Sequence, residues 1–175
     1  SPDVLRAGRL ELAAYGAYTY TVDNAAAQVQ SLGRNQTGSD RFGFPVHDGF
    51  VSVGSELAVT IAGRNDAPQV AIPLPDQTAA TSGNTSFSWQ VPAGSFVDVD
   101  AGDTLLYAAS LADGSPLPAW MTFDAGTRTF SGRVPRTATG YLDIQVSATD
   151  VAAGGDLTDS LSTADVFRLT LGASS

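Results

Sequence analysis

The chain has 175 residues, a net charge of −9, 43% hydrophobic residues and no cysteine. That length and hydrophobic content suit one or two folded domains, not a disordered tail. The acidic balance argues against binding a nucleic-acid backbone, and the missing thiols exclude disulfides, zinc–thiolate sites and thiol catalysis.

Period-2 alternation of apolar residues marks the predicted strands in chain order. Tyr18, Tyr20 and Val22 share one face in "AYTYTV". "NAAAQVQSLG", 24–33, then breaks the alternation and predicts a short helix, with Asn24 as N-cap and Gly33 just past its end. Alternation resumes with Leu57, Val59 and Ile61, with Phe87, Trp89 and Val91, with Leu142, Ile144, Val146 and Ala148, and with Phe167, Leu169 and Leu171. Gly and Pro punctuate the gaps. The pattern is all-β, with short half-buried strands of the kind found in sandwiches. No apolar run approaches the roughly 18 residues of a membrane span, so membrane insertion is not expected. No signal peptide opens the sequence, and an export address is expected outside it.

Residues 41–63 and 142–172 form an approximate internal repeat. In each, a strand ends at an Asp (Asp48 and Asp150), a turn follows, and an alternating strand ends in Gly. The repeat predicts two similar modules, 1–63 and 64–175, joined at "GRNDAP", where Pro68 fixes φ and stiffens the entry to the second. About 60 residues are too few for a sandwich of about 100. The first module is therefore expected to lack its opening strands.

The acids are unevenly chosen. Of 18, 16 are Asp and only Glu11 and Glu56 are Glu, while all nine basic residues are Arg. Asp is a poor helix former and a good turn residue, and its short carboxylate also suits calcium, which takes 6–8 oxygens. "SFVDVDAGDTL", 95–105, concentrates three of them: Asp98, Asp100 and Asp103. In an extended strand Asp98 and Asp100 point the same way, about 7 Å apart, and Gly102 permits a turn that brings Asp103 back. Solvent can make such a cluster tolerable, and so can a cation.

The quoted segments also resemble known families. "GRLELAAYGAYTYTVDNAAAQVQSLG", "DRFGFPVHDG" and "LAVTIAGRNDAP" resemble the C-terminal part of a VCBS repeat. "FSWQVPAGSFVDVDAGDTLLYAASLADGSPLPAWMTFDAGTRTFSGRV" and "GYLDIQVSATD" resemble a dystroglycan-type cadherin-like domain. The resemblance implies two tandem immunoglobulin/cadherin-like β-sandwiches from a secreted or surface-exposed bacterial adhesin of RTX type. It also implies Ca²⁺ at or near the joint, held by Asn65, Asp66, Asp98, Asp100 and Asp150. Asp103 stands near a position where the cadherin turn often carries an Asn that ligates through its carbonyl. Ala67 replaces the second linker Asn and offers only a backbone carbonyl. The implied role is structural and non-enzymatic, with neighbouring domains of the same polypeptide as partners.

Other expectations compete with this one. The modules could bind a host or matrix polysaccharide or protein, with Trp120 as a stacking platform, or could frame a ligand-binding domain inserted in the first module. His47 beside Asp48 has no serine nucleophile motif near it and reads as a strand-end histidine. Asp23, Asp113, Asp124 and Asp143 read as turn or solvent-face acids, with Asp143 on the opposite strand face from Ile144 and Asp150. Asn35 and Asn84 sit in glycosylation sequons, which matter only in a eukaryotic secretory route.

Overall fold

The computed structural model describes residues 6–81, 85–152 and 154–172, apart from the side chain of Ala14. The chain divides into two compact units. One comprises Ser1–Asp66 with Val99–Gly102, and the other Ala67–Asp98 with Asp103–Ser175. The sequence placed the joint at 63–64, three residues before the first break. It gave no sign that the turn 99–102 belongs with the first unit.

Among the described residues the first unit is two antiparallel hairpins, the first with a 3-10 turn at Ala14–Gly16 between its strands, and one turn of α-helix. Strands β1 (Gly8–Leu12) and β2 (Tyr18–Val22) pair along their whole length. The helix α1 (Ala27–Gln30) follows. It is shorter than predicted and starts later. Ala26 is its N-cap and makes no side-chain capping bond. Asn24 lies outside it, in a turn where the Asp23 carboxylate accepts the Ala25 N–H and the Asn24 carbonyl accepts from the Gln30 side chain. These polar groups favour turn geometry over another helical turn. Strands β3 (Thr37–His47) and β4 (Ser52–Ala62), eleven residues each, then pair from Thr37↔Ala62 to His47↔Ser52.

The first unit has little apolar interior. Its buried hydrophobic side chains among the described residues are Ala7 and Ile61. The predicted face of Tyr18, Tyr20 and Val22 is largely open, with Tyr18 57% and Val22 36% exposed. At its centre lies a carboxylate instead. Asp40 is 1% exposed, and its Oδ2 accepts the Ala7 N–H at 2.8 Å and the Tyr20 hydroxyl at 2.7 Å. One side chain thus ties the start of β1, the middle of β2 and the start of β3. Burial, and then the Asp40 carboxylate, push the Tyr20 hydroxyl up to about 12.

The second unit is a sandwich. Its strands are β5 (Gln69–Val70), β6 (Gln77–Ala80), β7 (Ser86–Gln90), β8 (Phe96–Val97), β9 (Thr104–Leu111), β10 (Met121–Asp124), β11 (Thr129–Arg133), β12 (Gly140–Val151) and β13 (Ser162–Gly172). One sheet has the order β6-β13-β12-β9, with β6 parallel to β13 and the other pairs antiparallel. The other has the order β10-β11-β7, and β5 pairs with β8. The core is made by the alternating residues read from the sequence. Ile144, Val146 and Ala148 from β12 and Phe167, Leu169 and Leu171 from β13 meet Phe87, Val91, Met121 and Phe130. Trp89 packs against Phe130 and Phe167, with ring centroids 5.9 and 4.6 Å away. Burial of this alternating face is the main force holding the sandwich together.

Candidate acidic site

The acidic turn keeps its alternation but inverts the usual polarity. Strand β8 ends at Val97, yet the pattern runs on: Val97 and Val99 are 43% and 41% exposed, whereas Asp98 is half-buried and Asp100 is 4% exposed. Gly102, at φ +93°, supplies the left-handed conformation that turns the chain into β9.

Within the first unit, the segment 99–102 is fastened at several points. The Asp100 Oδ2 accepts the Asp66 N–H at 2.8 Å. The Ala101 N–H donates to the Ser31 carbonyl at 3.1 Å, and the Gln36 amide donates to the Ala101 carbonyl at 2.7 Å. Gly33 is buried where an added Cβ would stand 3.2 Å from the Asp100 Cβ, so a side chain there would crowd the carboxylate. Asn65 and Asp66, in the same unit as this turn, are half-buried. Asp66 and Asp100 are therefore brought together. Ser31, Gly33 and Gln36, which support the turn, were not singled out from the sequence; only Gly33 carried a signal, as a helix stop.

Within the second unit, Asp150 and Asp103 come to one end of the sheet β6-β13-β12-β9. Asp150 lies at the end of β12, fully buried and in phase with Ile144, Val146 and Ala148. Its carboxylate accepts the Leu161 N–H at 2.9 Å, and its own N–H donates to the Leu161 carbonyl. Asp103 immediately precedes β9, whose Thr104 pairs with Val151, so it lies at the same end of the sheet. Asp98 follows β8. Among the described residues no group of three or more His, Cys, Asp or Glu stands arranged to hold a metal ion. The six predicted donors are all oxygens, and Asp100 and Asp150 are removed from water. Burying a carboxylate costs several kcal/mol unless hydrogen bonds or a cation offset it.

The remaining acids behave as turn or surface groups. Backbone N–H groups of Val51 and Phe50 hold the exposed Asp48 carboxylate below its ordinary range, and Ser115 and Thr127 do so for Asp113 and Asp124. Asp48 and Asp150 match in the repeat, yet one is a solvated turn acid and the other is buried. His47 Nδ1 accepts the Gly49 N–H at 2.9 Å, so both His47 and Asp48 shape the β3–β4 turn. Asp143 lies opposite the core, paired with Arg168 at 2.8 Å, and Arg168 stacks 3.8 Å over Tyr141. Trp120 packs against the core instead of standing open as a sugar platform. Asn35 is exposed, and Asn84 lies outside the described residues.

The fold is immunoglobulin/cadherin-like. Drosophila N-cadherin EC1-4 superposes with a TM-score of 0.53 at 12% identity, over 93% of this chain and 39% of that one. Human mucin-like protocadherin EC1-2 does so at 0.51 and 12%, over 98% and 87%. An endo-fucoidan hydrolase from glycoside hydrolase family 107 aligns at 0.45 and 18%; this chain spans 22% of its length. That last likeness is too distant to bear on activity. No curated protein sequence matches the chain. Residues 68–172 match the family described as "Putative Ig domain" (He_PIG), and the chain belongs to that family.

Proposed function

We propose that this chain is a calcium-stabilised structural module of an extracellular adhesion protein, a bacterial surface or secreted adhesin. Its role is to extend the parent polypeptide and stiffen it where calcium is plentiful, and it carries out no reaction. The immunoglobulin/cadherin-like fold supports the adhesion-type reading. The observation that carries the calcium reading is the burial of Asp100 and Asp150, at 4% and 0% exposure, in a chain of net charge −9. Asn65, Asp66 and Asp100 in the first unit and Asp98, Asp103 and Asp150 in the second are the residues that would supply calcium ligands. Hard oxygen donors suit Ca²⁺, whose charge would offset the repulsion of closely spaced carboxylates.

A cation that binds only the folded state adds RT ln(1 + [L]/Kd), about 2.7 kcal/mol at a hundred times Kd. Extracellular modules bind calcium with a Kd of roughly 10⁻⁴–10⁻³ M. Millimolar calcium should therefore raise the Tm by several degrees, and EDTA should reverse the change. A melt that does not move across this titration sinks the calcium reading. Small-angle scattering tests the stiffening, with a narrower distribution of shapes expected in calcium than in EDTA.

A further inference from the structure

We propose that two copies of this chain pair edge to edge through β9, with Tyr107 on the two-fold axis. In the sheet β6-β13-β12-β9, β9 is an outer strand. Among the described residues no strand pairs with its side away from β12. Its eight residues follow β12 one for one, without a bulge. It holds no Pro and no charge, whereas β12 carries Asp143 and Asp150 and β13 carries Asp165 and Arg168. The opposite edge of the sheet, β6, is only four residues long. Sheet edges are ordinarily protected by shortness, charge, Pro or bulges. β9 has none of these, and Leu106 on its outer face is 53% exposed.

The sequence of β9 favours a second copy as the occupant. A two-fold axis normal to the sheet sets the strands antiparallel, with opposite residues on the same face, so only alternate registers are possible. Tyr107 opposite itself places Leu106 against Ala108, Leu105 against Ala109 and Thr104 against Ser110. Large side chains meet small ones, and two hydroxyl residues meet, a favourable cross-strand pair. Asp103 then lies across from Leu111. The neighbouring register, with Ala108 opposite itself, brings Asp103 to the turn after Leu111 that carries Asp113 and is opposed by like charge. Shifts the other way leave fewer residues paired. An uncharged edge also lets two copies of net charge −9 approach, and salt should strengthen their association by screening that repulsion.

The chain has no cysteine, so introduced ones report cleanly. The full chain with Leu106→Cys is mixed with the full chain with Ala108→Cys under mild oxidation. Disulfide between unlike copies should dominate, since directly opposite residues on paired strands stand about 4.5–5.5 Å apart at Cβ. Ala108→Cys joining to itself in preference, or no disulfide at all, overturns the register and the pairing respectively. Sedimentation of the unmodified chain should show a concentration-dependent dimer that tightens as salt rises from low to physiological. Leu106→Lys keeps an exposed position and should weaken the dimer at least tenfold, because the two ammonium groups become diagonal neighbours. A chain that stays monomeric at every concentration, or a dimer indifferent to Leu106→Lys, overturns the proposal.

Discussion

Each unit is organised around one long hairpin, β3–β4 in the first and β12–β13 in the second, and the two hairpins differ in what flanks them. In the second unit β9 lies along β12 and β6 along β13, and a second sheet covers the face. In the first, the sheet β3-β4 has two strands among the described residues. The fourteen residues of the buried apolar cluster all belong to the second unit. Around the tip of β3–β4, Val46, Phe50, Val51 and Val53 are each more than half exposed. The same strand–turn–strand sequence is thus a core element when flanked and an exposed ribbon when it is not. Polar ties, Asp40 in the middle and Asp100 at one end, do in the first unit what aromatic packing does in the second.

The sharpest way to break this comparison is to remove the packing. Phe130→Ala deletes a fully buried ring that meets Trp89, Phe123 and Phe167, and should cost the second unit about 3–5 kcal/mol. The contrasting Phe50→Ala, at a ring 95% exposed, should change stability by less than about 0.5 kcal/mol. Equal costs in chemical denaturation would show that the first unit has a core of its own. Separating the units is the next test. Residues 67–175 should melt cooperatively. Residues 1–66 should not, because they lack the turn 99–102 and leave strand edges open. A sharp transition in the short fragment would mean that the first unit is self-sufficient.

Smaller effects sharpen the picture. Asp40→Ala removes the acceptor for the Ala7 N–H and the Tyr20 hydroxyl and should cost about 1–3 kcal/mol, read as faster amide exchange confined to β1–β3. The Tyr20 hydroxyl gives a pH signature of the same tie. Its folded value, about 12, lies above the ordinary tyrosine value of 10.0. The stabilisation it brings is therefore complete below pH 10 and is lost as pH rises toward 12. Ultraviolet titration should show a late-ionising tyrosine that disappears in Tyr20→Phe. Among the acids, Asp100→Ala should lower calcium affinity in calorimetry. Asp113→Ala, at an exposed turn, should leave it unchanged and alter stability by less than about 0.5 kcal/mol. Equal affinities would remove Asp100 from the site.

Strand content was legible because alternation is a local property. The faces read from β7, β12 and β13 are the faces that pack. Asp150 was legible for the same reason, being in phase with Ile144, Val146 and Ala148. Asp40 carried the same signal, in phase with the half-buried Phe42 and Phe44, but an acid at that place reads as solvated until its two donors are seen. Those donors lie 33 and 20 residues away, and nothing local announces them. The helix was overextended because "NAAAQVQSLG" has helical composition, while the turn made by Asp23 and Asn24 depends on where the chain must go next. The fastening of residues 99–102 to residues 31–36 was invisible, since its partners are backbone groups and a Gln of no distinctive type.

That fastening sets a timetable for the newly made chain. The first unit takes its last piece from residues that emerge 36 positions after Asp66, the interval between residue 66 and residue 102. At synthesis rates of about 5–20 residues per second, roughly 2–7 s pass before the segment is available. Through that interval the Ser31 carbonyl and the Gln36 side chain lack their eventual partners, and the hairpins with their outward Tyr18, Val51 and Val53 are open to whatever is nearby. The N-terminal unit is begun first but is completed only when residues 67–98 of the second have already emerged, so this stretch of nascent chain is where a chaperone would have the most to bind.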